Sequence, residues 1–320
     1  LFPYTTLFRS RWAEHEAALG GSAFDDLLRQ IRSIYDKSSK GELITGFLKN
    51  VIPKITARGF LDDVLPRYVA AYKIITTANL DTGPHAKLIS DKLNQMRALD
   101  QTSWRAPALK FLVEHGVEHE SAPEFFTKLE RLSYIIMLVL TDRDQRTKRF
   151  NKVNENIGNS RTLYGRGSPF NITKDESRRA FDRMLGRFAT FGQRRSMALR
   201  LNAALDGGFT IAPQSDATVE HVLPRNISED SHWMITWPDP AKRREQCDTL
   251  GNFVLLTNKV NQKADRLDYR AKKEVYFNGG GGQDFALTRD LVDQEAWTSE
   301  VVRKRTERLA EILMMEWSLA

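Results

Sequence analysis

From about residue 12 to residue 204 the apolar residues return at helical spacing with hardly a break, and strand-like alternation is hard to find. That periodicity confines most of the chain to an antiparallel array of amphipathic helices. Phe24, Leu27, Leu28, Ile31 and Ile34 form one apolar stripe, and Leu88, Ile89, Leu93 and Met96 form another. Leu43, Ile44, Phe47, Leu48 and Val51 make a third, which Pro53 ends or kinks because proline removes an amide hydrogen and crowds the turn before it. Pro123 stands near the start of the helix carrying Phe126, Leu129, Leu132, Ile136 and Leu140, where a missing N–H costs little. The longest apolar run, residues 134–140, falls far short of the ~20 residues a membrane span needs. It reads as a helix buried inside the array.

The pattern changes further on. Residues 164–170 are rich in chain-breaking residues and form a loop. Thr173-Lys-Asp-Glu176 has the form of a capping box, in which side chain and backbone at a helix start satisfy each other. Two helices are expected after it, over roughly 174–190 and 192–204, with Asp206-Gly-Gly208 as the stop. Beyond that point residues 209–212, 217–222 and 252–256 are short apolar or β-branched runs bounded by turn formers. The fold class is therefore mainly α with a small α+β part, divided into a helical region over 11–205 and a second domain over 206–320. The glycines of 278–282 make a flexible connection. They lack the spacing of a phosphate-cradling loop, and no lysine comes after them. A last helix is expected from about Thr288 to Trp317. Residues 1–10 share no period with the residues after them and read as a non-native scar, so the chain is expected to be the C-terminal piece of something longer.

Composition narrows the classes of function. A chain of 320 residues buries a sizeable core and suits two domains. The single cysteine, Cys247, excludes an internal disulfide and a zinc knuckle and suits the reducing cytoplasm. A formal charge of +7 with a pI near 9.4 favours approach to a polyanion, although many equally basic proteins never touch nucleic acid.

The chemistry concentrates in Thr218-Val-Glu-His-Val-Leu-Pro-Arg225, Leu250-Gly-Asn-Phe-Val-Leu-Leu-Thr257 and Asn261-Gln-Lys263. A carboxylate beside a histidine closes one β-type run, a Gly-Asn turn opens another, and a further polar residue stands where a helix begins. An imidazole titrates near neutral pH, so His221 suits the general base that takes a proton from water. Glu220 and Asn261 offer oxygen ligands, which suit Mg2+ or Mn2+ better than zinc. Strand neighbours point to opposite faces, so Glu220 and His221 serve one site only if the backbone bends, as Pro224 encourages. Each residue alone has a plainer reading: His221 as a hydrogen-bonded turn histidine, Asn252 as a turn residue, Asn261 as a helix cap. In this order, between these apolar runs, they favour a metal-dependent phosphodiesterase of the ββα-metal (HNH) kind.

These segments, with Tyr269-Arg-Ala-Lys-Lys273 and the helix expected to carry Trp297, Val302, Arg305 and Leu309, resemble the C-terminal HNH domain of GmrSD-type restriction endonucleases. The resemblance is specific around 218–263 and loose elsewhere. It implies that His221 is the general base, Asn252 the middle asparagine that orders the site, Asn261 the distal metal-side residue, and Glu220 an acidic ligand. It also implies a DNA substrate, foreign or base-modified, and an N-terminal nucleotide-hydrolysing half of which this sequence carries no signature. Lys263 and Arg266 are the candidate phosphate contacts, with Arg270, Lys272 and Lys273 nearby; interleaved Asp265, Asp268 and Glu274 make a solvated face the alternative. Arg194-Arg195 and Lys242-Arg-Arg244 read as solvated surface. Trp104, Trp297 and Trp317 read as core. His115 and His119 lack a third ligand. Two rivals stand beside the nuclease: a silent DNA-binding module on the same fold, and a helical interaction protein.

Overall fold

The computed structural model describes residues 5–36, 41–207, 216–278 and 282–319. The strand expected over 209–212 and most of the glycine segment 278–282 lie outside these residues. The described chain is mainly helical, with one small antiparallel sheet of two strands. It divides into two compact units, one of residues 1–97 with 101–172, the other of 98–100 with 173–320. No described helix is long and apolar enough to cross a membrane.

The first unit is the helical array. Its helix Gly21–Tyr35 buries the stripe Phe24, Leu27, Leu28 and Ile31 completely or nearly so. The third stripe forms Leu43–Asn50, and the chain breaks there into a new turn, Ile52–Ile55, with Pro53 in its opening positions, where its missing amide hydrogen is not needed. Ala122–Val139 starts with Pro123 and buries every residue from Leu132 to Val139, so the apolar run is an inner helix of this unit. Trp104 is buried as expected. The helix before His115 stops at Glu114, and Gly116 takes a positive φ of 80°, so His115 and His119 occupy a turn. His119 Nδ1 pairs with the Ser121 hydroxyl at 2.9 Å. No third donor joins them among the described residues.

The second unit begins at the capping box. Thr173 Oγ1 accepts from the Glu176 amide at 3.1 Å, and Glu176 Oε2 accepts from the Thr173 amide at 2.8 Å. The helix it starts, Lys174–Leu185, stops at the extended Gly186, earlier than its periodicity suggests. An extended loop, 186–190, then leads to Phe191–Leu205, capped by the Thr190 hydroxyl. That second helix is buried on most sides, Arg194 and Arg200 included. Helical spacing reports that a face is apolar, not which core receives it. That is why these two helices read as part of the preceding array, with the boundary at 205/206, whereas the compact units part at 172/173.

The sheet pairs β1 (Ala217–His221) with β2 (Phe253–Thr257), with His221 opposite Phe253 and Glu220 opposite Val254. The helix Asn258–Ala264 comes directly after β2. Between the strands, residues 222–252 run out and back through two short helices, Trp233–Thr236 and Pro240–Gln246. Trp233 and Trp237 anchor this excursion in a core shared with Val254, Leu256, Tyr269 and Trp297. Each such buried side chain contributes about 1.5–3 kcal/mol. Their indole N–H groups donate to the carbonyls of Leu267 (3.0 Å) and Trp297 (2.7 Å).

The long terminal helix is shorter than expected. A single turn, Ala286–Arg289, is followed by non-helical chain, and Ser299–Glu316 starts at the Thr298 cap, leaving Trp297 just outside it. This helix crosses the 250–252 turn so closely that a Cβ on Gly251 would meet the Val302 carbonyl at 2.2 Å, hence the glycine. Arg305, buried, donates to the carbonyls of Gly251 (2.7 Å) and Phe253 (2.9 Å) and to Asp290 (2.8 Å), fixing the entrance to β2.

Candidate functional site

Glu220 and His221 part company at the end of β1, because strand neighbours point to opposite faces. Glu220 turns inward. Its Oε1 accepts from Lys272 Nζ and from the Tyr276 hydroxyl (3.2 Å), while Lys272 Nζ also donates to the His221 carbonyl at 2.9 Å. The Lys272 side chain has no exposed surface. Burial lowers its pKa, opposed by the Glu220 carboxylate; burial, then that same carboxylate, push the Tyr276 phenol well above its ordinary value. Lys272 is therefore neither a phosphate contact nor part of a solvated face, the two readings its spacing allowed. Lys273 is likewise occupied, donating to the carbonyls of Val292 and Gln294.

His221 faces the other way. Its Nε2 lies 3.1 Å from Asp248 Oδ1, and its ring meets Phe253 edge-on. Burial lowers the imidazole's pKa, and the hydrogen bond to Asp248 opposes it. The ring is neutral at neutral pH. With Asp248 ionised, the proton sits on Nε2 and Nδ1 is left as the basic nitrogen.

Asp248 gathers cations around this imidazole. Arg225 donates to Oδ1 through Nε (3.0 Å) and Nη2, Arg187 donates to Oδ2 through Nη2 (3.0 Å), and Arg194 Nη1 stands 3.7 Å from Oδ1. Burial pushes the carboxyl up, but hydrogen bonds from His221, Arg225 and Arg187 outweigh it and hold the group well below the usual carboxylate range. Arg187 comes from the 186–190 loop, which is itself pinned here. The Phe188 amide donates to the Asp248 carbonyl at 2.8 Å, and buried Arg194 donates to the carbonyls of Phe188 (2.9 Å) and Ala189 (2.8 Å). Arg194 is thus an internal strut, not the solvated surface its place in an Arg-Arg pair suggests.

The other expected residues make separate contacts. Asn252 is fully buried, and all four of its hydrogen-bonding positions are used. Oδ1 accepts from the Leu223 amide (2.7 Å) and Trp297 Nε1 (2.9 Å); Nδ2 donates to the carbonyls of Leu223 (3.0 Å) and Cys247 (2.8 Å). It ties both ends of the excursion beside His221 and Asp248. Asn261, half-buried, donates to the Thr218 hydroxyl at 2.9 Å. Lys263 and Arg266 are exposed, at and just beyond the end of the helix after β2.

Two donor sets can be weighed for a metal ion. His221, Cys247 and Asp248 place ligand atoms within 4.8 Å of one another, so this group could hold an ion. Its chemistry suits Mg2+ or Mn2+ poorly: both carboxylate oxygens already accept from guanidinium groups. Burial also raises the Cys247 thiol to about 12, leaving it protonated at neutral pH. In the second set, Glu220 and Asn261, the carboxylate is paired with a buried ammonium. As arranged, neither set fits a hard divalent ion.

Asp248 and Arg187 were not legible as site residues, and Lys272 was legible only as a phosphate contact, not as the partner of Glu220. An acidic residue just ahead of the Leu250-Gly-Asn turn is the one trace Asp248 leaves. Arg187 and Lys272 reach the site across 61 and 52 residues of chain, which no local pattern reports.

Residues 172–312 match the family described as GmrSD restriction endonucleases, C-terminal domain. No curated protein matches the chain, and no solved structure does.

Proposed function

We propose that the chain, whose residues 172–312 match the C-terminal domain family of the GmrSD restriction endonucleases, is a DNA endonuclease whose water-activating base is His221. The observation that carries this is the 3.1 Å contact between His221 Nε2 and Asp248 Oδ1, made on the side of β1 where arginines gather. Asp248 holds the tautomer, Nδ1 takes a proton from water, and the hydroxide attacks phosphorus as the sugar oxygen departs. A positioned base of this kind contributes about 100- to 10,000-fold. Asn252 orders the site by fixing the neck of the excursion.

The order β1, β2, helix 258–264 is consistent with an HNH (ββα-metal) domain within 206–320, after a helical region over 11–205. Lys263 and Arg266, exposed beside the sheet, are proposed as contacts to flanking phosphates. The family implies Mg2+ or Mn2+, but Glu220, paired with Lys272 on the face of β1 away from His221, is not arranged to hold such an ion, and no step proposed here runs through one. The setting we propose is the cytoplasm, in restriction of foreign or base-modified DNA, alongside a nucleotide-hydrolysing partner domain.

Plasmid nicking, measured with EDTA, Mg2+ or Mn2+ on this chain and on His221→Ala, tests the reading. Nicking by the parent that the variant loses supports it. DNA binding with no nicking under any condition would overturn it in favour of a silent DNA-binding module.

A further inference from the structure

One carboxylate, Asp248, is met by three guanidinium groups, so positive charge exceeds negative beside the imidazole. Buried Arg194 spends its contacts inside, on the 186–190 loop. Arg187 and Arg225 differ from it. Their side chains are 55% and 44% exposed, although the carboxylate they share is only 9% exposed. Each therefore has one edge fixed on Asp248 and the rest turned to solvent. Arg187 uses only Nη2 on the carboxylate, and Arg225 uses Nε and Nη2. N–H groups remain on both for a second anion, and guanidinium pairs matched to oxygen pairs are the preferred means of holding phosphate.

We infer that Arg187 and Arg225 form a guanidinium clamp for the phosphodiester of a nucleic-acid strand, held in place by Asp248 and presenting the phosphate to His221. The clamp deepens the nuclease reading and rests on it for the identity of the reacting phosphate. Arg187 and Arg225 would touch substrate, whereas Asp248 and Arg194 act through them as positioning residues. Because the clamp draws one arginine from the 186–190 loop and one from the excursion, it is assembled only when both dock on Asp248.

The test reads binding separately from cleavage. Fluorescence anisotropy of a short labelled DNA duplex, titrated with the full chain carrying His221→Ala over a series of salt concentrations, gives the affinity and its salt slope. Adding Arg187→Ala or Arg225→Ala should weaken binding roughly tenfold each and reduce the slope by about 1, since each removes one phosphate contact. Arg225→Lys should keep the slope and lose the two-pronged contact, so with His221 intact it cleaves more slowly at saturating DNA. A purely structural arginine would alter cleavage and leave the slope unchanged, and that result would overturn the clamp. Absence of any salt-sensitive binding by the His221→Ala chain would overturn it too. If the alanine variants lose slope as stated while the parent chain nicks nothing, the clamp stands and the nuclease reading falls.

Discussion

The two faces of β1 use the same ingredients, a carboxylate and cations, to opposite ends. On the Glu220 face one carboxylate meets one ammonium, the two side chains 9% and 0% exposed, and the Tyr276 hydroxyl closes the set. On the His221 face one carboxylate meets several guanidinium groups, two of them about half exposed, beside a neutral imidazole. The first arrangement is balanced and shut, and it fastens the helix Tyr269–Asn278 to the strand end. The second carries excess positive charge toward solvent. Strand alternation lets one residue step separate a closed ion pair from an open, positively charged face, so adjacency in sequence misleads about which groups act together.

The sharpest way to break this contrast is to remove the ammonium. Lys272→Met leaves the Glu220 carboxylate buried and unpaired, with an expected loss of about 3–5 kcal/mol. The double variant Glu220→Gln, Lys272→Met should regain most of that, because the buried charge is gone as well. Urea unfolding of the three proteins decides it; a single variant as stable as the parent would mean the Glu220 face is not a fastener. Asn252→Ala comes next. It strips the acceptor from the Leu223 amide and Trp297 Nε1, both buried, at about 1–3 kcal/mol by the same measurement. Arg225→Ala, on the open face, should stay within about 1 kcal/mol, as an ion pair with one half-exposed partner is screened. Equal losses for Arg225→Ala and Lys272→Met would erase the distinction between the faces.

How much of the molecule is legible in its sequence depends on how each signal arises. The stripes at Phe24–Ile31, the capping box at Thr173 and the runs that form β1 and β2 are local, and each forms where its spacing places it. Spacing alone makes the terminal helix too long because residues 293–298 have no strong helix breaker. What takes them out of the helix is tertiary: Trp297 stacks on Tyr269 with ring centroids 5.4 Å apart, and its carbonyl accepts from Trp237. At the site, the Gly-Asn turn before an apolar run is a local pattern, but that Asn252 orders the site is implied only by the family resemblance. The partner of His221 is not legible. Asp248 becomes its neighbour only because Asn252 closes the excursion, and Arg187 only because Gly186 ends a helix early.

The smallest expected effect is also the most specific to the open face. A general base works only when deprotonated, so the cleavage rate should fall as pH drops through the pKa of His221. Burial lowers that pKa, which places the acid limb of the rate profile below the ordinary imidazole value of about 6.5. Arg225 lowers it further by charge repulsion, while Asp248 raises it by hydrogen bond and charge. The two neighbours should therefore move the limb in opposite directions: Arg225→Ala toward higher pH, Asp248→Asn toward lower pH, each measured at saturating DNA so that binding does not intrude. Charge-induced shifts shrink with added salt, so the Arg225→Ala displacement should be largest at low ionic strength. A limb that moves the same way in both variants would mean that the rate reports some group other than this imidazole, and the functional half of the comparison would have to be sought elsewhere.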